Sequence, residues 1–225
     1  MNLLIFGTGK IAEAVTVLLE NDDKYCISAY ICDDDFVSSE TFLGKPVVAL
    51  SKFEGKFKPD NYKIFVAVGY QDMNQLRTSK YKYFRKLGFS FASYISPSLK
   101  TNSSIGENTI IMDGANIQPC TEFGNNVFVW GGAMVGHHSI IEDNCWLTGG
   151  CMIGGSTKIG QSTFVGLGAM IGHAIVIGEK CMLGAGTLTC KSLPAGTVLV
   201  TPNTEPHRLN AEQFTRMSTC FKVKL

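Results

Sequence analysis

VWGGAMVGHHSIIEDNCWLTGGCMIGGSTKIG, residues 129–160, places an apolar residue at every sixth position: Val129, Val135, Ile141, Leu147, Ile153 and Ile159. The step of six runs on in both directions. It begins at Leu99, passes Ile105, Ile111, Ile117 and Phe123, and continues through Val165, Ile171 and Ile177 to Leu183. All fifteen positions are apolar and no insertion interrupts them. Four residues after each, the side chain is usually small: Thr109, Ala115, Ser139, Cys145, Cys151, Thr157, Ala169 and Cys181 are examples. Glycine often follows the apolar residue directly, as at Gly136, Gly154 and Gly160. A face that repeats every 3.6 residues drifts out of step with six, so this is no helix. It fits short strands joined by tight turns, each coil stacked on the last, which is the hexapeptide β-helix pattern.

Composition narrows the function. Of 225 residues, Lys and Arg number 20 and Asp and Glu 19, for a net charge of +1. Nucleic-acid binding wants a basic excess that is missing. The opening MNLLIFGTGK lacks the basic and long apolar regions of a secretory signal, and no apolar run approaches the ~18 residues of a membrane span. Eight cysteines then read as reduced thiols in a cytoplasmic protein. Cys145, Cys151 and Cys181 fall in the small inward slot, where cysteine packs as a small hydrophobe. No CxxC spacing occurs, so no metal is expected.

Residues 1–96 have another texture. NLLIF reads as a strand, GTGK as a turn, and IAEAVTVLLE as a helix with Ile11, Ala14, Val15, Leu18 and Leu19 on one face. YCISAYICDDD and KIFVAVGY read as further strands, QDMNQLRTSKYKYFRKLG as a basic-faced helix, and FSFASYI as a fourth strand. Strands alternating with helices imply a parallel Rossmann-like sheet. GTGK opens a helix, where backbone N–H groups attract phosphate. Gly7, Gly9 and Lys10 are therefore expected at a nucleotide, with Asp33, Asp34 and Asp35 ending the second strand where a ribose is often met. Gly69, in VAVGY, is a second turn facing the same ligand. The motif lacks the third glycine of a dinucleotide fingerprint. The expected division is 1–96 for the α/β domain, 97–193 for the β-helix and 194–225 for a C-terminal cap.

Taken together, GTGKIAEA, VAVGYQDMNQLR and the repeats up to LGAGTLTCKSLPAGTVLV make the chain resemble the bacterial sugar acyltransferases with hexapeptide repeats. That group includes sialic-acid O-acetyltransferases and the nucleotide-amino-sugar N-acetyltransferases of bacillosamine synthesis. The resemblance implies a left-handed coil of three hexapeptides per turn, a homotrimer with active sites between subunits, and acetyl-CoA as cosubstrate. It implies a base at His137, from HHSII, and a thioester-carbonyl donor at the Gly155 N–H one coil above. His173 and Lys191 would line the CoA path. In such enzymes an acidic residue commonly follows the histidine; here it is His138. An asparagine often stands seven residues before the histidine; here it is Trp130, read as a stacking surface for the sugar. His138 is placed at the acceptor with it. Lys10 stands where relatives carry a histidine and is free to contact a diphosphate.

The resulting expectation is N-acetylation of a UDP- or dTDP-linked amino sugar for cell-surface glycan synthesis. O-acetylation of a sialic-acid-like sugar is the nearest alternative. A β-helix that only binds is another, and the histidine in catalytic register argues against it. An NAD-dependent enzyme is disfavoured, because the front segment makes only half a dinucleotide domain and a β-helix offers no hydride-acceptor site.

Overall fold

The computed structural model describes residues 1–22, 24–99 and 102–217. The chain opens with β1 (Asn2–Phe6), whose last four residues are buried, followed by α1 (Lys10–Glu20), which buries Ala12, Val15, Thr16 and Leu19. β2 (Cys26–Cys32) pairs in parallel with β1. A short hairpin, β3 (Thr41–Phe42) and β4 (Lys45–Ala49), follows, then β5 (Tyr62–Val66), α2 (Gln75–Lys86) and β6 (Ser90–Phe91). The sheet order is β3-β4-β2-β1-β5-β6, all parallel except β3 against β4. Because the chain winds from central β1 to opposite sides at β2 and β5, a crevice opens above their carboxyl ends, the usual place for a ligand in such sheets.

Two-residue strands at every sixth position then build a three-sided, left-handed coil. Each strand pairs in parallel with the third strand after it: Asn116 with Met134, Met134 with Met152, Met152 with Met170, and likewise around the other two faces. The repeat apolar residues from Ile111 to Leu183 point inward and are buried. Each contributes roughly 1.5–3 kcal/mol when fully removed from water. Cys145, Cys151 and Cys181 lie among them with no exposure.

The corners explain the rest of the repeat. One carries a left-handed residue in every coil: Asn108, Asn126, Asn144, Ser162 and Lys180. The asparagines form a ladder, Asn108 Nδ2 donating to Asn126 Oδ1 at 2.6 Å and Asn126 Nδ2 to Asn144 Oδ1 at 2.7 Å. A second corner uses Cys120, His138, Ser156 and Ala174 with φ between 55° and 63°. The third uses glycine, from Gly114 to Gly186. Asparagine and histidine are enriched in this conformation.

Three elements differ from the sequence reading. FSFASYI is not one strand: β6 closes the front sheet, whereas β7 (Tyr94–Ile95) already belongs to the coil, pairing with Ile110–Ile111. The apolar run simply continues across the junction, so periodicity hides the break. At the far end Val198–Leu199 still stacks on Met182–Leu183, beyond the boundary expected at residue 193. Residues 200–217, including the helix Ala211–Met217, contain no buried residue, so they close no core within one protomer. Residues 218–225 of the expected cap lie outside the described residues.

The front domain docks on one face of the coil. Outward-facing Tyr94, Ile110, Phe128 and Trp146 stand one coil apart on that face and share a buried cluster with Leu3, Ile5, Val15 and Phe65. Arg77 of α2 is fully buried in this seam. Its guanidinium lies 4.6 Å from the Phe128 ring centroid and 5.0 Å from that of Trp146. It donates to Asn126 Oδ1 (3.2 Å) and to the carbonyls of Asn126 (3.2 Å) and Asn144 (2.8 Å). Burial pulls its pKa down to about 9, still well above neutrality, so it remains a cation. Asn108 ties the coil to β5, accepting the Val66 N–H at 2.7 Å. The sequence reads α2 as a basic-faced helix; the structure buries one of its basic residues, Arg77.

Candidate active site

The crevice holds a cavity of about 610 Å³. Gly7, Gly9, Lys10 and Gly69 all line it, with Asp33, Asp35, Phe36 and Gln71. Gly7 has φ +126°, and a Cβ there would stand 2.6 Å from the Ala67 carbonyl oxygen, so β1 and β5 approach only because this residue is glycine. Gly9 caps α1 with open space around its Cα, leaving the helix N-terminus accessible to an anion.

The three aspartates divide. Asp33 lines the cavity and is paired with Lys80 from α2. Asp35 lines it as well. Asp34, expected at the ligand, instead accepts from the Ser51 hydroxyl and from the Ser51 N–H (3.1 Å). Those hydrogen bonds hold its carboxyl below the usual carboxylate range. It is absent from the cavity wall because the 3₁₀ turn Asp34–Phe36 rotates it outward. Cys32, at the cavity floor, has its thiol pushed up by burial, partly offset by a hydrogen bond from Thr8.

The histidines stand elsewhere, at the exposed corner between the Met134–Val135 and Ile140–Ile141 strands. The strand register stacks His137, Gly155 and His173 in one column, and the His137 and His173 ring centroids are 6.3 Å apart. A Cβ on Gly155 would lie 2.9 Å from both Cε1 and Nε2 of His137, so only glycine admits the imidazole over this backbone. The Gly155 N–H donates to no group among the described residues. The His137 N–H is used differently, donating to Gln118 Oε1 at 3.0 Å. Lys191 comes two residues after Thr189, which pairs with Ile171, and it is exposed.

His138 takes the left-handed corner position, φ 57°, and its Nδ1 is 3.1 Å from Nδ1 of His137. Its ring is turned to His137. Trp130 is not beside the histidines. It precedes the Met134–Val135 strand at the opposite corner, half-buried in the interdomain cluster with its ring 5.5 Å from that of Trp146. Within the protomer its ring packs in the seam.

A hollow of about 500 Å³ on the adjacent face is lined by Glu122, Glu142 and Asp143. Their neighbours matter for His137. Glu142 pairs with Lys158 at 2.6 Å and accepts the Gln161 N–H at 3.0 Å, and Asp143 accepts the Asn125 N–H at 2.7 Å. No group of three His, Cys, Asp or Glu able to hold a metal occurs among the described residues. None of the described helices is long and apolar enough to cross a membrane.

Comparison with known proteins gives a consistent picture. Residues 2–84 match the family model of the PglD N-terminal domain. Among curated proteins none matches at a significant level. Among solved structures, the acetyltransferase domain of PglB from Neisseria gonorrhoeae, in complex with acetyl coenzyme A, is 24% identical with a TM-score of 0.78, covering 88% of this chain and 94% of that one. A histidine-to-asparagine variant of perosamine N-acetyltransferase from Caulobacter crescentus, in complex with CoA and GDP-perosamine, is 25% identical with a TM-score of 0.76, covering 88% and 92%. WeeI from Acinetobacter baumannii is 21% identical with a TM-score of 0.69, covering 89% and 97%. The front of this chain thus matches a PglD N-terminal domain, and the chain as a whole shares the two-part fold of these solved structures.

Proposed function

We propose that the chain is a sugar N-acetyltransferase that moves the acetyl group of acetyl-CoA to the amine of a nucleotide-linked amino sugar, for cell-surface glycan synthesis. The observation that carries the reading is the pairing of an exposed imidazole with an unspent backbone donor. His137 Nε2 lies against Gly155, whose N–H makes no hydrogen bond among the described residues. The amine nitrogen attacks the thioester carbonyl carbon and His137 Nε2 accepts its proton. The Gly155 N–H stabilises the oxygen as charge builds on it, and the C–S bond breaks as CoA thiolate leaves and takes up the proton. His173 and Lys191, further along the column, fit the CoA path, where a lysine suits a phosphate as a point charge. Lys10, the helix N-terminus at Gly9, and Asp33 and Asp35 fit a nucleotide diphosphate and its ribose. The perosamine N-acetyltransferase of Caulobacter crescentus carries CoA together with GDP-perosamine, which supports a nucleotide-linked amino sugar over a free sialic-acid-like one. UDP or dTDP is our expected nucleotide.

Position also argues for an assembly. The front domain covers one face of the coil, and His137 lies on the edge opposite that face. A sugar held in the front cavity therefore meets a histidine most directly on another copy. Met152, Met170 and Leu188 leave an exposed apolar stripe beside the histidine corner, suited to such a contact. A homotrimer with the site between subunits accounts for both features.

The test is thiol release from acetyl-CoA with UDP-, dTDP- and GDP-linked amino sugars, read with product mass. A gain of one acetyl group on one of them is the expected result. Release only with a sialic-acid-like sugar would move the assignment to O-acetylation, and no release with either would overturn it.

A further inference from the structure

We infer that His138 is the positioning partner of His137, accepting the proton of His137 Nδ1–H so that Nε2 keeps its lone pair toward Gly155. The inference rests on the acetyltransferase reading and assigns the group that holds its base. The geometry is direct: the two Nδ1 atoms are 3.1 Å apart, with the rings nearly perpendicular at 82°. A hydrogen bond at that distance needs one Nδ1 protonated and the other bare. If His138 donates, His137 must carry its proton on Nε2, pointing at Gly155, and has no lone pair left there for a base. If His137 donates, Nε2 is free, and His138 holds its own proton on Nε2. Which nitrogen of a histidine is protonated is set by the bond the other nitrogen makes.

Two carboxylates of the adjacent hollow are already held. Glu142 is held by Lys158 and the Gln161 N–H, and Asp143 by the Asn125 N–H. Gln118 Oε1 is bound to the backbone N–H of His137, not to its ring. His173 is the other titratable ring near His137, at 6.3 Å between centroids and one coil beyond Gly155. His138 thus does without charge what a carboxylate does with one: it orients the ring and fixes the tautomer.

A purely structural role makes a different prediction. His138 also satisfies a left-handed corner, and glycine or asparagine would do that equally well. Asparagine places Oδ1 the same number of bonds from Cα as histidine places Nδ1, so it restores an acceptor, whereas glycine removes it. Both variants should fold. We expect His138→Gly to lower kcat about 10- to 100-fold, the scale on which orienting partners of histidines act, with little change in KM. His138→Asn should recover most of that loss. Nitrogen-15 NMR of the full chain without substrates should show His137 protonated on Nδ1 in the wild type and in His138→Asn, and shifted toward Nε2 protonation in His138→Gly. Unchanged kcat in His138→Gly, an Asn variant as slow as the Gly variant, or a wild-type His137 protonated on Nε2 would each overturn the assignment. Should the wild type acetylate no sugar, the acetyltransferase reading fails, and the NMR tautomers alone decide this one.

Discussion

His137→Ala is expected to lower kcat for acetyl transfer by about 10²- to 10⁴-fold, the usual contribution of a positioned general base. The residue is exposed and contributes no core packing, and its backbone N–H keeps its bond to Gln118 Oε1 whatever the side chain. Thermal midpoint and oligomeric state should therefore match the wild type. KM for acetyl-CoA should move little, because the column beyond Gly155 is untouched. The measurement is steady-state thiol release beside a melting curve and a sedimentation profile on the same preparation. Near-normal turnover by the variant would remove His137 from the mechanism. Loss of activity together with loss of assembly would make the residue an interface group instead.

Arg77→Ala should have the largest effect on stability, about 3–5 kcal/mol, as expected when buried contacts are removed together. Two contributions add. The guanidinium sits over two aromatic faces in a desolvated place, where such contacts are worth about 2 kcal/mol or more. Its removal also leaves the Asn126 and Asn144 carbonyls without this donor, at about 1–3 kcal/mol for a buried group left unsatisfied. Against this stands the cost of burying a cation with no carboxylate beside it, visible in its lowered pKa. Arg77→Lys should rescue little, since one ammonium lacks the planar fork that spans two coils. Calorimetry should show the melting transition lowered in Arg77→Ala, with α2 and the front sheet more open to protease than the coil. An unchanged transition would mean that the aromatic cluster alone holds the two parts together.

The coil was legible because a strict period of six runs unbroken from Leu99 to Leu183 and excludes a helix. The column of His137, Gly155 and His173 follows from that period once three hexapeptides make a turn. Gly7, Gly9, Lys10 and Gly69 were legible as cavity-lining because a strand, a glycine turn and a helix leave few other places for them. The seam was not legible. Arg77 meets Asn126 and Asn144 across 49 and 67 residues, and no local pattern announces such pairs. A signal did exist: Phe128, Trp146 and Phe164 are aromatic at the outward position of one face in three successive coils, where water would favour polar groups. Trp130 packs in the same cluster. Asp34 misled because three adjacent aspartates look alike until a 3₁₀ turn rotates one away.

The inward cysteines make the coil a clock of its own opening. Burial pushes the Cys145 and Cys151 thiols up to about 12, so neither offers a thiolate to an alkylating reagent while its coil is closed. Cys26, Cys120 and Cys190 are exposed and free, and they react at once. Cys181, equally hidden, lies more than one coil beyond Cys151, toward the C-terminal end of the coil. In a stack whose coils touch only their neighbours, the sequence in which these thiols become labelled is the sequence in which the column frays. The unaltered chain thus reports, by the mass of each labelled fragment, whether it comes apart from its C-terminal end or at the docked face.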